Sequence, residues 1–246
     1  MHKPAEREGL ELLTRLAGVR TPAPLGDSVV ALADGTGLLL LEALVERAPH
    51  ERTTDDWRAA GHALAAVHAV RGTQFGHTTS GWFGPLPQDN RSTTSATWAA
   101  FYAERRVEPN LRVAVDSGHL PTALAAATTR LIGTLADRRG PEPEPTLLHG
   151  DAQQHNIVFT PDGPALIDAS PYFGHPEIDL GMVDIFEPVP DALFAGYRDR
   201  AAIDDSFDGR RELWRVFAYL AVIAVDGANP FGRSFVARLA AALADV

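Results

Sequence analysis

An α+β fold in two unequal parts is predicted for this 246-residue chain, and three observations predict it. Residues 1–44 read as one helix followed by two short β-type runs. From residue 55 onward apolar residues recur mostly at helical spacing. The exception is residues 147–179, LLHGDAQQHNIVFTPDGPALIDASPYFGHPEID, where two β-rich runs flank Thr160-Pro161-Asp162-Gly163. Proline and glycine at those positions are turn chemistry, so 157–167 reads as a hairpin.

The elements follow in order. Pro4 suits a first helical turn, Glu6 and Glu8 suit its positive dipole end, and Leu10, Leu13 and Leu16 form a stripe that Gly18 can close. Thr21-Pro22-Ala23-Pro24 must be extended. Residues 28–32 and 37–42 are β-type runs around Asp34-Gly35-Thr36-Gly37. Helices are expected over 55–70, from Trp98 through Arg106, and over 121–138, 192–201, 211–225 and 235–242. Residues 75–90, rich in Gly, Pro, Thr and Ser, read as a binding loop. GPEPEP at 140–145 is a stiff connector.

Composition narrows the function. An apolar content of 45% is ample for a sizeable core. A net charge of −10 argues against nucleic-acid and anionic-membrane partners. With no cysteine there is no disulfide framework or thiolate chemistry. The apolar runs are too short to span a bilayer and the N-terminus lacks a signal-peptide core, so a cytoplasmic protein is expected.

The central stretch carries the chemistry. Folding the chain back about Asp162 brings Asn156 and Asp168 to one open end, with Asp151 beside them. Phosphoryl transfer from a nucleotide needs positioning and charge neutralisation more than covalent help. Mg²⁺ takes oxygen ligands, often one or two carboxylates completed by phosphate oxygens and water. Asn156 and Asp168 can supply two ligands, and Asp151 can accept the proton of an attacking hydroxyl. A surface hairpin with a capping Asp is the plain alternative. A metal site of His149, His155 and His175 matches no zinc spacing. Ser170 or Ser80 as a nucleophile lacks its elbow motif.

HGD-x4-N, a hairpin and Ile167-Asp168 together resemble the catalytic loop and metal motif of aminoglycoside-phosphotransferase-like kinases. Tyr172-Phe173-Gly174-His175-Pro176-Glu177-Ile178-Asp179-Leu180-Gly181-Met182 further resembles a signature of the fructosamine kinase (ketosamine-3-kinase) family. GHALAAVHAV, Leu86-Pro87-Gln88-Asp89-Asn90 and Trp98 to Arg106 echo three more of its segments. The resemblance implies a two-lobe protein-kinase-like fold, with a reduced N-lobe over 1–44 and a mainly helical C-lobe over 45–246. It implies Asp151 as catalytic base, Asn156 and Asp168 as Mg²⁺ ligands, and His149 and Asp179 as supports of the catalytic loop. The backbone of Glu42, Ala43 and Leu44 would be the hinge that meets adenine, with Glu6 (or Glu8) on the phosphate side. Gln153, His175 and Glu177 would face the substrate, and Arg105 or Arg106 would brace Asp151 or an anion. The cofactors implied are ATP and Mg²⁺, and the acceptor a sugar-amine adduct, free or on a glycated protein.

Two departures widen the expectation. The family places a glycine-rich strand pair and a strand lysine before the first helix, whereas Lys3 here is followed by Pro4. A weakened, kinase-like binding protein is therefore the rival to an active kinase. The family also carries an aromatic residue between its Asp and Asn, where this chain has Ala152-Gln153-Gln154-His155. An aminoglycoside or a choline-like alcohol stays open as acceptor.

Overall fold

The computed structural model describes residues 3–26, 29–33, 37–93 and 96–244. The first helix, α1 (Lys3–Ala17), buries Leu10, Leu12 and Leu13 and ends at Gly18, whose φ is +66°. Two short antiparallel strands follow, β1 (Val30–Ala31) and β2 (Gly37–Leu38), paired Val30 to Leu38 and Ala31 to Gly37. They are shorter than the runs expected, and Ser28 and the expected turn residues Asp34, Gly35 and Thr36 lie outside the described residues. The connector returns as an extended segment in which Leu25 N–H donates to Leu40 O and Glu42 N–H to Ala23 O.

Helix α2 (Thr54–His68) starts at a capping box. Thr53 Oγ1 accepts from Asp56 N–H at 3.1 Å, and Asp56 Oδ2 accepts from Thr53 N–H at 2.8 Å. The segment expected to be a loop at 75–90 contains a hairpin, β3 (Gly81–Phe83) and β4 (Leu86–Gln88). Its strands are three residues long, too short to show a period. They are held by contacts distant in sequence: Gly76 exchanges backbone hydrogen bonds with Phe173, and His77 N–H donates to Asn90 O.

One helical rod then runs through α3 (Trp98–Tyr102), a π-helical turn (Ala103–Val107) and α4 (Glu108–Asp116). Pro109 explains the wide turn. It has no N–H for the Arg105 carbonyl four residues back. Arg106 Nη1 takes that carbonyl at 2.9 Å, and Asn110 Nδ2 takes the Arg106 carbonyl at 2.8 Å. Helix α5 (Thr122–Arg138) leads into β5 (Thr146–Leu148). The expected hairpin is present as β6 (Ile157–Thr160) and β7 (Gly163–Leu166), joined through Pro161 and Asp162. β8 (Tyr172–Gly174) returns antiparallel to β5. The tail is α6 (Glu177–Met182), α7 (Asp191–Arg198), α8 (Phe207–Asp226) and α9 (Pro230–Ala242). The last two begin earlier than the apolar pattern shows, α9 because Asn229 caps it by accepting from Gly232 N–H at 3.1 Å.

Two cores meet at the β5–β8 pair. One gathers Trp98, Phe101, Tyr102, Trp214 and Phe217 from the rod and α8. The other joins α1 (Leu10, Leu13) to α2 (Leu64, Val67), the β6–β7 hairpin (Phe159, Leu166) and α7 (Leu193). α1 is thus packed into the same core as the segment after residue 45. Where α2 crosses α7, backbones touch. A Cβ on Gly61 would lie 2.0 Å from Leu193 O, and one on Gly196 would lie 2.1 Å from Arg58 O. That close crossing brings His68 and Tyr197 together beneath the 149–156 loop, with His68 Nδ1 2.9 Å from Tyr197 Oη.

Candidate active site

The loop after β5 is shaped by a buried carboxylate below it. Asp179, at the first turn of α6 and fully buried, accepts from His149 N–H at 2.6 Å and Gly150 N–H at 3.1 Å. Its Oδ2 is also 3.1 Å from His68 Nε2. Gly150 is required at its position. Its φ is +85°, and a Cβ would stand 2.0 Å from Ser170 O. The carbonyl of His149 accepts from Ser170 N–H, which ties the loop to the segment after β7. The imidazole of His149 is buried, burial holds its pKa below the usual value, and Nδ1 accepts from Asp151 N–H at 3.3 Å.

This support delivers Asp151 to the wall of a cleft. The side chain is 5% exposed, and its Oδ1 is buried without a hydrogen-bond partner. Gln153 Nε2 lies 3.4 Å from the other oxygen. Burial, then the charge of Asp168, pushes the Asp151 pKa up to about 7. Asn156 donates from Nδ2 to the Asp151 carbonyl at 2.8 Å, which leaves its amide oxygen as an acceptor. Ile167 N–H donates to Asn156 O, so the two strand ends carry Asn156 and Asp168 side by side. Asp168 is exposed and has φ +53°, the one positive φ among the described non-glycine residues. A non-glycine residue held there costs on the order of 1 kcal/mol and commonly marks a functional constraint.

The cleft wall is formed by Glu6, Glu8 and Gly9 of α1, His77, Thr79 to Trp82, Asp151 and Asp168. Glu6 therefore lines the same cleft as Asp151 and Asp168. The Lys3 ammonium, also on this wall, lies 2.7 Å from Glu6. Lys3 is helical and not strand-borne, yet it brings a cation to the same wall. Among the described residues no group of three or more His, Cys, Asp or Glu is placed to hold a metal ion. A carboxylate with a carboxamide, completed by phosphate oxygens and water, is the donor set that fits Mg²⁺.

Other expected site residues are placed elsewhere. His175 and Glu177 do not face the cleft; they are buried in the helical core. Glu177 accepts from Arg210 Nη2 at 2.5 Å, Arg210 Nε at 3.0 Å and Trp214 Nε1 at 2.6 Å. The His175 ring packs 5.2 Å from that of Trp214, and burial lowers its pKa to about 4. Their polarity serves a buried network with α8, which no local pattern reveals. Glu177→Ala is expected to lower stability by about 3–5 kcal/mol, because Arg210 and Trp214 Nε1 lose their shared acceptor; thermal unfolding checks it.

Arg105 and Arg106 do not brace Asp151 either. Arg106, fully buried, lies over the Tyr172 ring at 3.9 Å and donates to Asn90 Oδ1 at 2.7 Å and Asp89 O at 3.2 Å. Arg105 holds the carbonyls of Arg91 and Ser92. Both clamp the exit of the β3–β4 hairpin. At the expected hinge, Glu42 already spends its N–H on Ala23 O, and its carboxylate accepts from Ala23 N–H at 3.2 Å. His68, expected from the sequence to be a core or loop-bracing histidine, is placed beneath the loop against Asp179; its partner Tyr197 had no signal, and Ser80 to Trp82 as cleft wall were signalled only by the length and composition of 75–90.

Comparison with known proteins agrees with this geometry. The family model for fructosamine kinase matches residues 2–246. A Synechocystis sp. protein described as a probable ketoamine kinase is 33% identical over 220 residues, which are 88% of this chain and 70% of that protein. A Thermobifida fusca crystal structure assigned to fructosamine-3-kinase superposes with a TM-score of 0.85 at 31% identity, covering 98% of this chain and 80% of that one. An aminoglycoside phosphotransferase solved with ADP and hygromycin B shares the fold at a TM-score of 0.65 and 15% identity, covering 97% of this chain and 82% of that one. The α+β, protein-kinase-like architecture, the loop that presents Asp151 and the match along the chain lead to one assignment: the protein belongs to the fructosamine kinase family.

Proposed function

We propose that this protein is an ATP-dependent kinase that phosphorylates a sugar hydroxyl of a ketoamine. One observation carries the reading. A buried, partnerless carboxylate oxygen on Asp151 stands in the wall of a cleft, beside a strained and exposed Asp168. A carboxylate that stays a competent base near neutral pH is suited to take the proton of a hydroxyl as that oxygen attacks phosphorus. Asn156 and Asp168 are the residues that would hold Mg²⁺, which supplies charge neutralisation on the transferred phosphoryl group. Lys3, held on Glu6, adds positive charge at the same wall. Kinship supports the acceptor class, since the relatives are described as ketoamine kinases.

Transfer of phosphate from MgATP to fructosyl- or ribulosyl-lysine, followed by mass spectrometry, tests the reading. Asp168→Ala is expected to lose transfer by about 10²-fold or more and to lose its dependence on Mg²⁺ concentration. Retention of full, normally Mg²⁺-dependent activity in that variant would remove the metal assignment. Absence of product from the wild type with every ketoamine offered would remove the acceptor class.

A further inference from the structure

Asn90 and Ser170 meet at the start of the β3–β4 hairpin. Both line the cleft that holds Asp151 and Asp168, and both are buried, at 2% and 7% exposure. The amide of Asn90 has one possible orientation. Its Oδ1 accepts from the buried Arg106 guanidinium at 2.7 Å and lies 3.5 Å from Gln88 Nε2. Arginine only donates, so the oxygen must face Arg106 and Nδ2 is turned away from it as a donor. Among the described residues Nδ2 reaches no acceptor, yet it is not sealed from solvent.

Ser170, two residues beyond Asp168, supplies a second donor. Its N–H is tied to the His149 carbonyl, and its Oγ accepts from Trp82 N–H at 3.2 Å. A hydroxyl that accepts in this way still has its own hydrogen to give, and no described residue takes it. Gly81 brings the two donors together. A Cβ there would stand 2.0 Å from Ser170 Oγ and 2.9 Å from Asn90 Nδ2. Both atoms thus stand against one face of Gly81 without bonding each other, and a single oxygen can bridge them. Buried donors without acceptors are costly, so such a pair calls for a partner. Charge decides its kind. Glu6, Glu8, Asp151 and Asp168 line the same cleft, and Lys3 is paired with Glu6. Two neutral donors among carboxylates suit an uncharged oxygen, a sugar hydroxyl or keto group, better than a phosphate.

We propose that Asn90 Nδ2 and Ser170 Oγ form the subsite that selects the acceptor, together donating to one uncharged oxygen of the ketoamine sugar. Arg106 acts through Asn90 as a positioning residue, because it fixes which end of the amide is left for the ligand. A site built around such donors rejects an analogue that lacks the matching oxygen, since both donors are then stranded. The proposal rests on the ketoamine-kinase reading and adds the residues that discriminate among acceptors.

Steady-state kinetics with MgATP and fructosyl-lysine, on wild type, Asn90→Asp and Ser170→Ala, test it, with isothermal titration of fructosyl-lysine alongside. Asn90→Asp keeps an acceptor for Arg106 and replaces the donor by an oxygen. Ser170→Ala removes the other donor without adding charge. Each is expected to raise the acceptor KM and Kd about tenfold. The KM for ATP should change by less than about threefold. A set of monodeoxy fructosyl-lysines gives a readout that a merely structural role would not move. One analogue should lose about tenfold on the wild type and almost nothing further on Asn90→Asp. An unchanged acceptor KM in either variant that melts like the wild type overturns the proposal. So does an equal rise in the KM for ATP, or an Asn90→Asp penalty of the same size with every deoxy analogue. A wild type that neither binds nor phosphorylates the ketoamine sinks the kinase reading and this proposal together. An active wild type with indifferent variants sinks the proposal alone.

Discussion

Asp151→Asn is expected to fold, to keep its cleft, and to lose phosphate transfer by about 10²–10⁴-fold in kcat, the usual span for removal of a general base. The replacement is nearly isosteric, so the Gln153 contact and the Asn156 bond to the residue 151 carbonyl can persist. On the proposed mechanism, what disappears is the proton acceptor. With the pKa pushed up to about 7, the wild-type base is ionised above that pH and progressively protonated below it. The kcat/KM for the acceptor should therefore fall about tenfold per pH unit below roughly 7 and level off above it. Stability should move the other way. The unfolded chain releases the Asp151 proton near the ordinary carboxylate value of 3.8, while the folded protein holds it until about 7. Between those values the folded state binds more protons, so rising pH erodes stability, and the full cost is present above about 7. Asp151→Asn should then be more stable than wild type at pH 8, by on the order of 3 kcal/mol, with the gap closing toward pH 4. Equal melting temperatures at pH 8, or a flat rate profile between pH 5.5 and 7, would contradict the buried-base assignment.

Asp179→Ala should do the larger structural damage. The substitution leaves His149 N–H, Gly150 N–H and the His68 ring without their common partner, in a place closed to water. Stranding such a set costs about 3–5 kcal/mol, a large share of a domain's total stability. For a chain of this size the melting temperature should drop by roughly 10 °C, and catalysis should vanish even where the protein stays folded. Asp179→Asn keeps one acceptor but turns an amide donor toward groups that already donate, so it should recover little. A melting temperature within about 2 °C of wild type for Asp179→Ala would show that the loop is held by other means.

The 157–166 hairpin was legible because its signal is local: a Pro-Asp-Gly turn between β-branched and apolar runs. The same locality made Asp151, Asn156 and Asp168 readable as a group, since one turn determines where three side chains meet. Glu6 was singled out only through the family resemblance; its place in a first helical turn by itself signals no more than a favourable dipole charge. Residues 81–88 were not readable as strands, because what holds them is Ser170, Phe173 and Arg106, far away in sequence. His175 and Glu177 sit in the same motif as Asp179, and the family resemblance suggested that they face the substrate. Their burial is decided by Arg210 and Trp214, more than thirty residues later, and no spacing rule reaches that far.

The wide turn made by Pro109 gives the rod from Trp98 to Asp116 one residue more than a regular helix would use. Each residue of an α-helix advances the side-chain direction by about 100°. Loss of any single residue between 103 and 107 would restore a uniform pitch and shift the phase of one half of the rod against the other. Either Trp98, Phe101 and Tyr102, or Asn110 and Ala114, would then swing out of the interior. Length in this segment is constrained as tightly as identity, and a one-codon deletion here would be felt at the far end of the hairpin, where Arg106 would no longer reach Asn90.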